Sequence, residues 1–127
     1  MSDYTHKNLL ETEDDAAKHG MGEILEAHFP RELLGCEQTG VSLQRIRPDQ
    51  KMPFGHNHKT DEEIYVVLSG GGTALVAGEQ VELAPMDALR VAPDTKRAFA
   101  SGPDGLELLV FGTHHDDDAV VDESPWS

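Results

Sequence analysis

The sequence predicts an all-β, single-domain fold of the sandwich or barrel type, and three observations carry that prediction. Short β-rich runs recur along the chain with turn residues between them, at the spacing of hairpin-connected strands. The only helical signal is one brief segment at 30–35, too short to build a layer. A chain of 127 residues with 38% hydrophobic content has material for one modest core.

Taken in order, residues 1–20 have no sustained apolar period and read as a loosely draped acidic N-terminal segment. Strand-like runs follow at 24–29 and 41–47. Between them PRELLG has Pro30 at a first-turn position and Gly35 at its end, the marks of a single helical turn or two. Further runs lie at 63–69, 73–77, 80–83, 88–92, 97–100 and 106–112. Gly70, Gly71 and Gly72 form one break, and Ala77, Gly78 and Glu79 a tight loop. Gly102, Pro103, Asp104 and Gly105 suit a type I turn with Pro second and Gly fourth. The barrel domain is expected over 21–113, with 114–127 an acidic C-terminal tail that contributes little to the core.

The formal charge of −14 is carried mostly by the flanks, while 41–100 is nearly neutral. An acidic surface repels phosphate backbones and anionic headgroups, so neither nucleic acid nor membrane is an expected partner. No apolar run approaches a membrane span and the first residues lack the order of a signal peptide, so a cytoplasmic location is expected. The one cysteine, Cys36, allows no internal disulfide and no Cys-rich zinc site. It reads as a small buried hydrophobe.

The segment that carries chemistry runs from His56 to Gly70. On an extended chain residues two apart share a face, so His56 and His58 aim two imidazoles at one point. After a short bend the next strand brings Glu63 there, with Tyr65 and Val67 on the same face and Glu62 pointing away. Two neutral imidazoles and a carboxylate on a β surface make a metal site with open coordination positions. A His-x-His pair alone is a weak signal, but the added Glu and Gly spacing lowers the chance expectation to about 0.01. His6, His19 and His28 read as solvated surface histidines. His114 and His115 follow the last strand, and since neighbours on an extended chain face opposite ways, at most one of them reaches the barrel mouth.

The pattern His-x-His-x4-Glu-x6-Gly resembles the first motif of the cupin superfamily. That resemblance implies a double-stranded β-helix, or jelly-roll, barrel with His56, His58 and Glu63 as ligands of a divalent metal: Fe, Mn, Ni or Zn. The family's second motif, laid without gaps on 85–101, puts Met86, Ala92, Asp94, Arg97 and Ser101 at its Gly, Pro, Gly, His and Asn. Every signature residue differs, and Arg97 falls where the family has its fourth ligand.

An arginine stays protonated and has no lone pair for a metal. Three roles are open to it: clamping a substrate carboxylate beside a three-ligand centre, pairing with Glu63 in a metal-free pocket, or reaching outward to solvent over Phe99. Tyr65, on the pocket face, is a packing residue or a hydrogen-bond donor to substrate. Two function classes follow. One is a metal-dependent enzyme on a small organic substrate, with oxygenase or isomerase chemistry and Arg97 and Tyr65 contacting that substrate. The other is a non-catalytic small-molecule or carbohydrate sensor using the same cavity without metal. Because Ile64, Val66 and Leu68 on one face and Tyr65 and Val67 on the other are both apolar, the strand has something packed on each side, and a homodimer is expected.

Overall fold

Two long antiparallel strands organise the molecule. In this computed structural model, which describes residues 3–127, β4 (Glu63–Val76) and β7 (Arg97–Thr113) pair along nearly their whole lengths. Around them lie β1 (Leu25–His28), β2 (Thr39–Ile46), β3 (Gly55–His58), β5 (Glu79–Leu83), β6 (Ala88–Val91) and β8 (Ala119–Asp122). The order runs β1-β2-β7-β3-β8, and β4 also pairs with β5 and β6, every ladder being antiparallel. The sheet curls on itself as an all-β jelly roll. No helix of the described residues is long and apolar enough to cross a membrane.

The curl accompanies two irregularities in the β4–β7 ladder, one inside the run 63–69 and one at the break read at Gly70–Gly72. Register shifts between Val67 and Ser69 and between Gly70 and Gly72 are bulges inside one continuous strand. Gly70 has φ +74°, open to glycine without strain, and a Cβ there would collide with the carbonyl of Gly105. Opposite, Gly102 to Gly105 have no register partner between the Gly70–Leu106 and Gly72–Ser101 pairs, so the segment read as a turn is a bulge within β7. The ladder resumes on both sides because the flanking residues still find partners on β4, and Pro103 sits where no ladder hydrogen bond is required. The hairpin read at Ala77 and Gly78 does form: both have positive φ, as a two-residue turn between right-twisted strands requires.

The interior face of β7 supplies Leu106, Leu108 and Val110, and that of β4 supplies Tyr65 and Val67, all buried. Burying one such side chain contributes about 2 kcal/mol. The short helix α2 (Arg31–Leu34) ends at Gly35 in the left-handed region, as its Pro and Gly indicated.

Three expectations, two about the flanks and one about His28, require correction. Within 1–20, of which the first two lie outside the described residues, Asn8 caps a 3-10 turn at Leu9–Glu11 and Asp14 caps helix α1 (Asp15–Lys18). Asp14 also accepts from the amide of Ala27 in β1, and Ala16 joins the core at 7% exposure. Elements of three or four residues leave no period to read. His28, expected in solvent, is buried, with Nε2 on Glu26 and Nδ1 against Thr12. The C-terminal segment forms β8, which pairs residue by residue with β3, and Trp126 donates its indole N–H to the carbonyl of Met52.

Candidate metal centre

β3 is held between two strands, and this fixes where its histidines point. His56 lies opposite Arg97 of β7 on one side and Val121 of β8 on the other, while His58 lies opposite Ala119. Cross-strand partners share a face, so both imidazoles and Arg97 look into the barrel. Glu63, at the start of β4, meets them from the facing part of the sheet. Its Oε1 lies 3.6 Å from His56 Nε2 and 3.3 Å from His58 Nε2, and the two rings stand nearly perpendicular.

The same oxygen takes two further donors. Tyr65 donates its hydroxyl to Glu63 Oε1 at 2.7 Å, and Arg97 donates Nη2 to it at 2.8 Å. Arg97 Nε donates to the Tyr65 hydroxyl oxygen and Nη1 to the carbonyl of Thr95. Its side chain has 0% exposure, so it does not reach outward over Phe99. Nor does it line the cavity where a substrate carboxylate would sit: Nε, Nη1 and Nη2 donate to Tyr65, Thr95 and Glu63. Tyr65 both packs, against Phe99, and hydrogen-bonds. Burial alone would raise the Glu63 carboxyl, but His56, the Tyr65 hydroxyl, His58 and Arg97 outweigh it and hold it at about 2. Burial and the neighbouring Glu63 charge push the Tyr65 hydroxyl up, so it serves as a donor.

Sequence reading missed two buried carboxylates beside His58. Asp61, 1% exposed, accepts from Thr113 Oγ1, from His115 Nδ1 at 2.6 Å and from the His115 amide. Asp118, also buried, accepts from the Thr60 hydroxyl at 2.7 Å and from the amides of Thr60 and Asp61. Although burial opposes ionisation there, these donors keep Asp118 well below the usual carboxylate range. Nothing local marked them: Asp118 sits in a run of three aspartates that reads as solvated. Of the His114 and His115 pair, His114 lines the cavity and His115 turns back to Asp61. Cys36 is half-buried, with its thiol free.

A cavity of about 1000 Å³ opens above these groups. Its floor holds His56, His58, Asp61, Glu63 and Tyr65, and its walls include Phe29, Met52, Phe54 and Val121. Gly40 and Gly112 lie opposite each other on the cavity lining, and a Cβ on Gly112 would strike the Glu62 carbonyl, so this glycine lets β7 approach β4 closely beside Glu63.

The three donors fit a small cation. Around an ion about 2.1 Å from each ligand, neighbouring ligands stand about 3.0 Å apart in an octahedron and about 3.4 Å apart in a tetrahedron. One nitrogen on each of His56 and His58 and one oxygen of Glu63 lie within 4.8 Å of one another. On the far side of the ring from Glu63, His58 Nδ1 is buried with no hydrogen-bond partner, 3.3 Å from Asp118 Oδ2.

No family model matches the sequence, and no curated protein matches it. Among solved structures, the chain is similar to a cupin protein from Bacteroides fragilis at 27% identity and TM-score 0.72, covering 92% of this chain and 89% of that one. This chain is a small cupin-superfamily domain. The cupin is also similar to a proposed sugar phosphate isomerase from Acidithiobacillus ferrooxidans, at 27% identity and TM-score 0.65 over 81% of this chain and 67% of that one. A salicylate 1,2-dioxygenase from Pseudoaminobacter salicylatoxidans, in complex with gentisate, matches at 16% identity and TM-score 0.64 over 82% of this chain and 30% of that one. That last likeness shows the fold alone.

Proposed function

We propose that the cupin binds one divalent metal ion (Fe, Mn, Ni or Zn) through His56, His58 and Glu63 and turns over a small organic molecule in the cavity above, with isomerase- or oxygenase-type chemistry. The observation that carries this reading is the convergence of the three donors, 3.3 and 3.6 Å from Glu63 Oε1 to the two imidazoles. When bound, the ion supplies Lewis-acid polarisation of a substrate oxygen. The chain's own residues do the rest. Tyr65 and Arg97 keep Glu63 ionised and fix its rotamer, while Phe29, Met52 and Phe54 give the ligand an apolar wall. The similarity to a structure named as a sugar phosphate isomerase supports a small, hydroxylated substrate.

One observation favours a second reading, a sensing or binding pocket without metal. The Arg97–Glu63 pair at 2.8 Å already neutralises the carboxylate that would hold the ion. The two readings separate on tag-free protein grown with all four metals present. We expect about one metal per chain in the wild type and none in the His56→Ala/His58→Ala double variant. Sub-stoichiometric metal, or metal retained by the variant, leaves the metal-free pocket. The cupin is further inferred to pair with a second copy through the outer face of β4 and β7.

A further inference from the structure

We propose that Asp118, from the C-terminal segment, is the positioning residue for His58: it accepts the Nδ1 proton and so turns the Nε2 lone pair toward Glu63. The inference concerns this chain's own residues and rests on the metal-binding reading for its consequence.

The geometry is that of a ring between two carboxylates. His58 Nε2 lies 3.3 Å from Glu63 Oε1, and Nδ1 lies 3.3 Å from Asp118 Oδ2 and 3.9 Å from Asp61 Oδ2. A neutral imidazole has one N–H and one lone pair, so it donates to only one side. With the proton on Nε2, the Nδ1 lone pair would face the Asp118 carboxylate in a buried place with no other donor near it. With the proton on Nδ1, the lone pair faces Glu63, and lone pair and carboxylate oxygen together make a seat for a cation. Nδ1 has no hydrogen-bond partner in this structure, and Asp118 Oδ2 at 3.3 Å is the nearer of the two carboxylates facing it.

Of the two nearby aspartates, Asp118 is the fixed and nearer acceptor. Its Oδ2 is anchored by the Asp61 amide at 2.9 Å, its Oδ1 by the Thr60 hydroxyl at 2.7 Å, and its backbone carbonyl by the Lys59 amide. Asp61 instead spends its oxygens on Thr113 and His115. Asp118 stands beside His58 because it precedes Ala119, which pairs with His58 across β3 and β8. Carboxylates that hold the outer nitrogen of a ligating histidine typically change metal affinity 10- to 100-fold when removed.

Two measurements test this on the full chain. In metal-free protein, long-range 1H–15N correlation should show His58 as the Nδ1–H tautomer, and Asp118→Asn should move it toward a mixture. Zinc titration should give Asp118→Asn about 10-fold weaker binding or worse, with Asp118→Glu recovering part of it. A wild-type His58 found as the Nε2–H tautomer overturns the proposal whether or not the variants fold. So does unchanged zinc affinity in a folded Asp118→Asn. Wild-type protein that binds no metal at all overturns the proposed function instead, since the tautomer is read without metal.

Discussion

At the scale of single residues, Arg97 departs furthest from expectation. It stands where the family's pattern has a fourth ligand, and the guanidinium is turned onto Glu63 and Tyr65 rather than onto a substrate. Removing one partner of a buried ion pair typically loses about 3–5 kcal/mol. We therefore expect Arg97→Gln to lower the melting temperature sharply in EDTA, and also to tighten metal binding, because a positive charge next to the cation has gone. Opposite signs in the two assays are the expected signature; a melt unchanged by the substitution would contradict the buried pair. The same carboxylate sets an acid limit. Glu63 is lowered from 4.5 to about 2, so its share of stability is complete above about pH 5 and is lost as pH falls toward 2. In metal-free protein that share is at most about 3 kcal/mol, and it should shrink in Arg97→Gln.

At the scale of elements, β8 matters most for the site. The acidity and lack of periodicity of 114–127 led us to expect that deleting 116–127 would leave stability nearly unchanged. The structure reverses that expectation: the deletion removes the ladder to β3, the Trp126 hydrogen bond and Asp118 under the 59–61 loop. The deletion should lower the melting temperature by well over 5 °C, corresponding to more than about 1 kcal/mol for a domain of this size. It should also weaken metal binding more than Trp126→Ala does. Equal metal affinity in the truncated chain would show that β3 holds its histidines without β8. β8 was hidden because its pairing partner lies some sixty residues away and three of its four residues are exposed.

For the whole molecule, the outer face of the β4–β7 pair remains apolar. Ile64 lies opposite Phe111 and Val66 opposite Leu109, with Leu68 42% and Phe111 38% exposed. A second copy seated there would cover them, and this is the face through which the proposed homodimer would pair. Leu68→Glu with Phe111→Glu should convert a dimer to monomer in sedimentation at moderate salt, with metal stoichiometry per chain unchanged. A wild type that sediments as a monomer would remove the dimer.

The sequence by itself determined the fold class and the His56, His58 and Glu63 set, because both rest on local rules: alternation along a strand, turn residues between runs, and the spacing of one motif. It also marked α2 and the Ala77–Gly78 hairpin, where Pro and Gly have fixed conformational meaning. Tertiary structure decided the rest. Whether Gly70–Gly72 and Gly102–Gly105 end strands or bend them depends on partners found across the sheet. Whether an aspartate in an acidic run is solvated or buried beside a histidine depends on a strand pairing that joins positions 58 and 119. A local pattern specifies which face a side chain takes, but only the closed barrel specifies what that face meets.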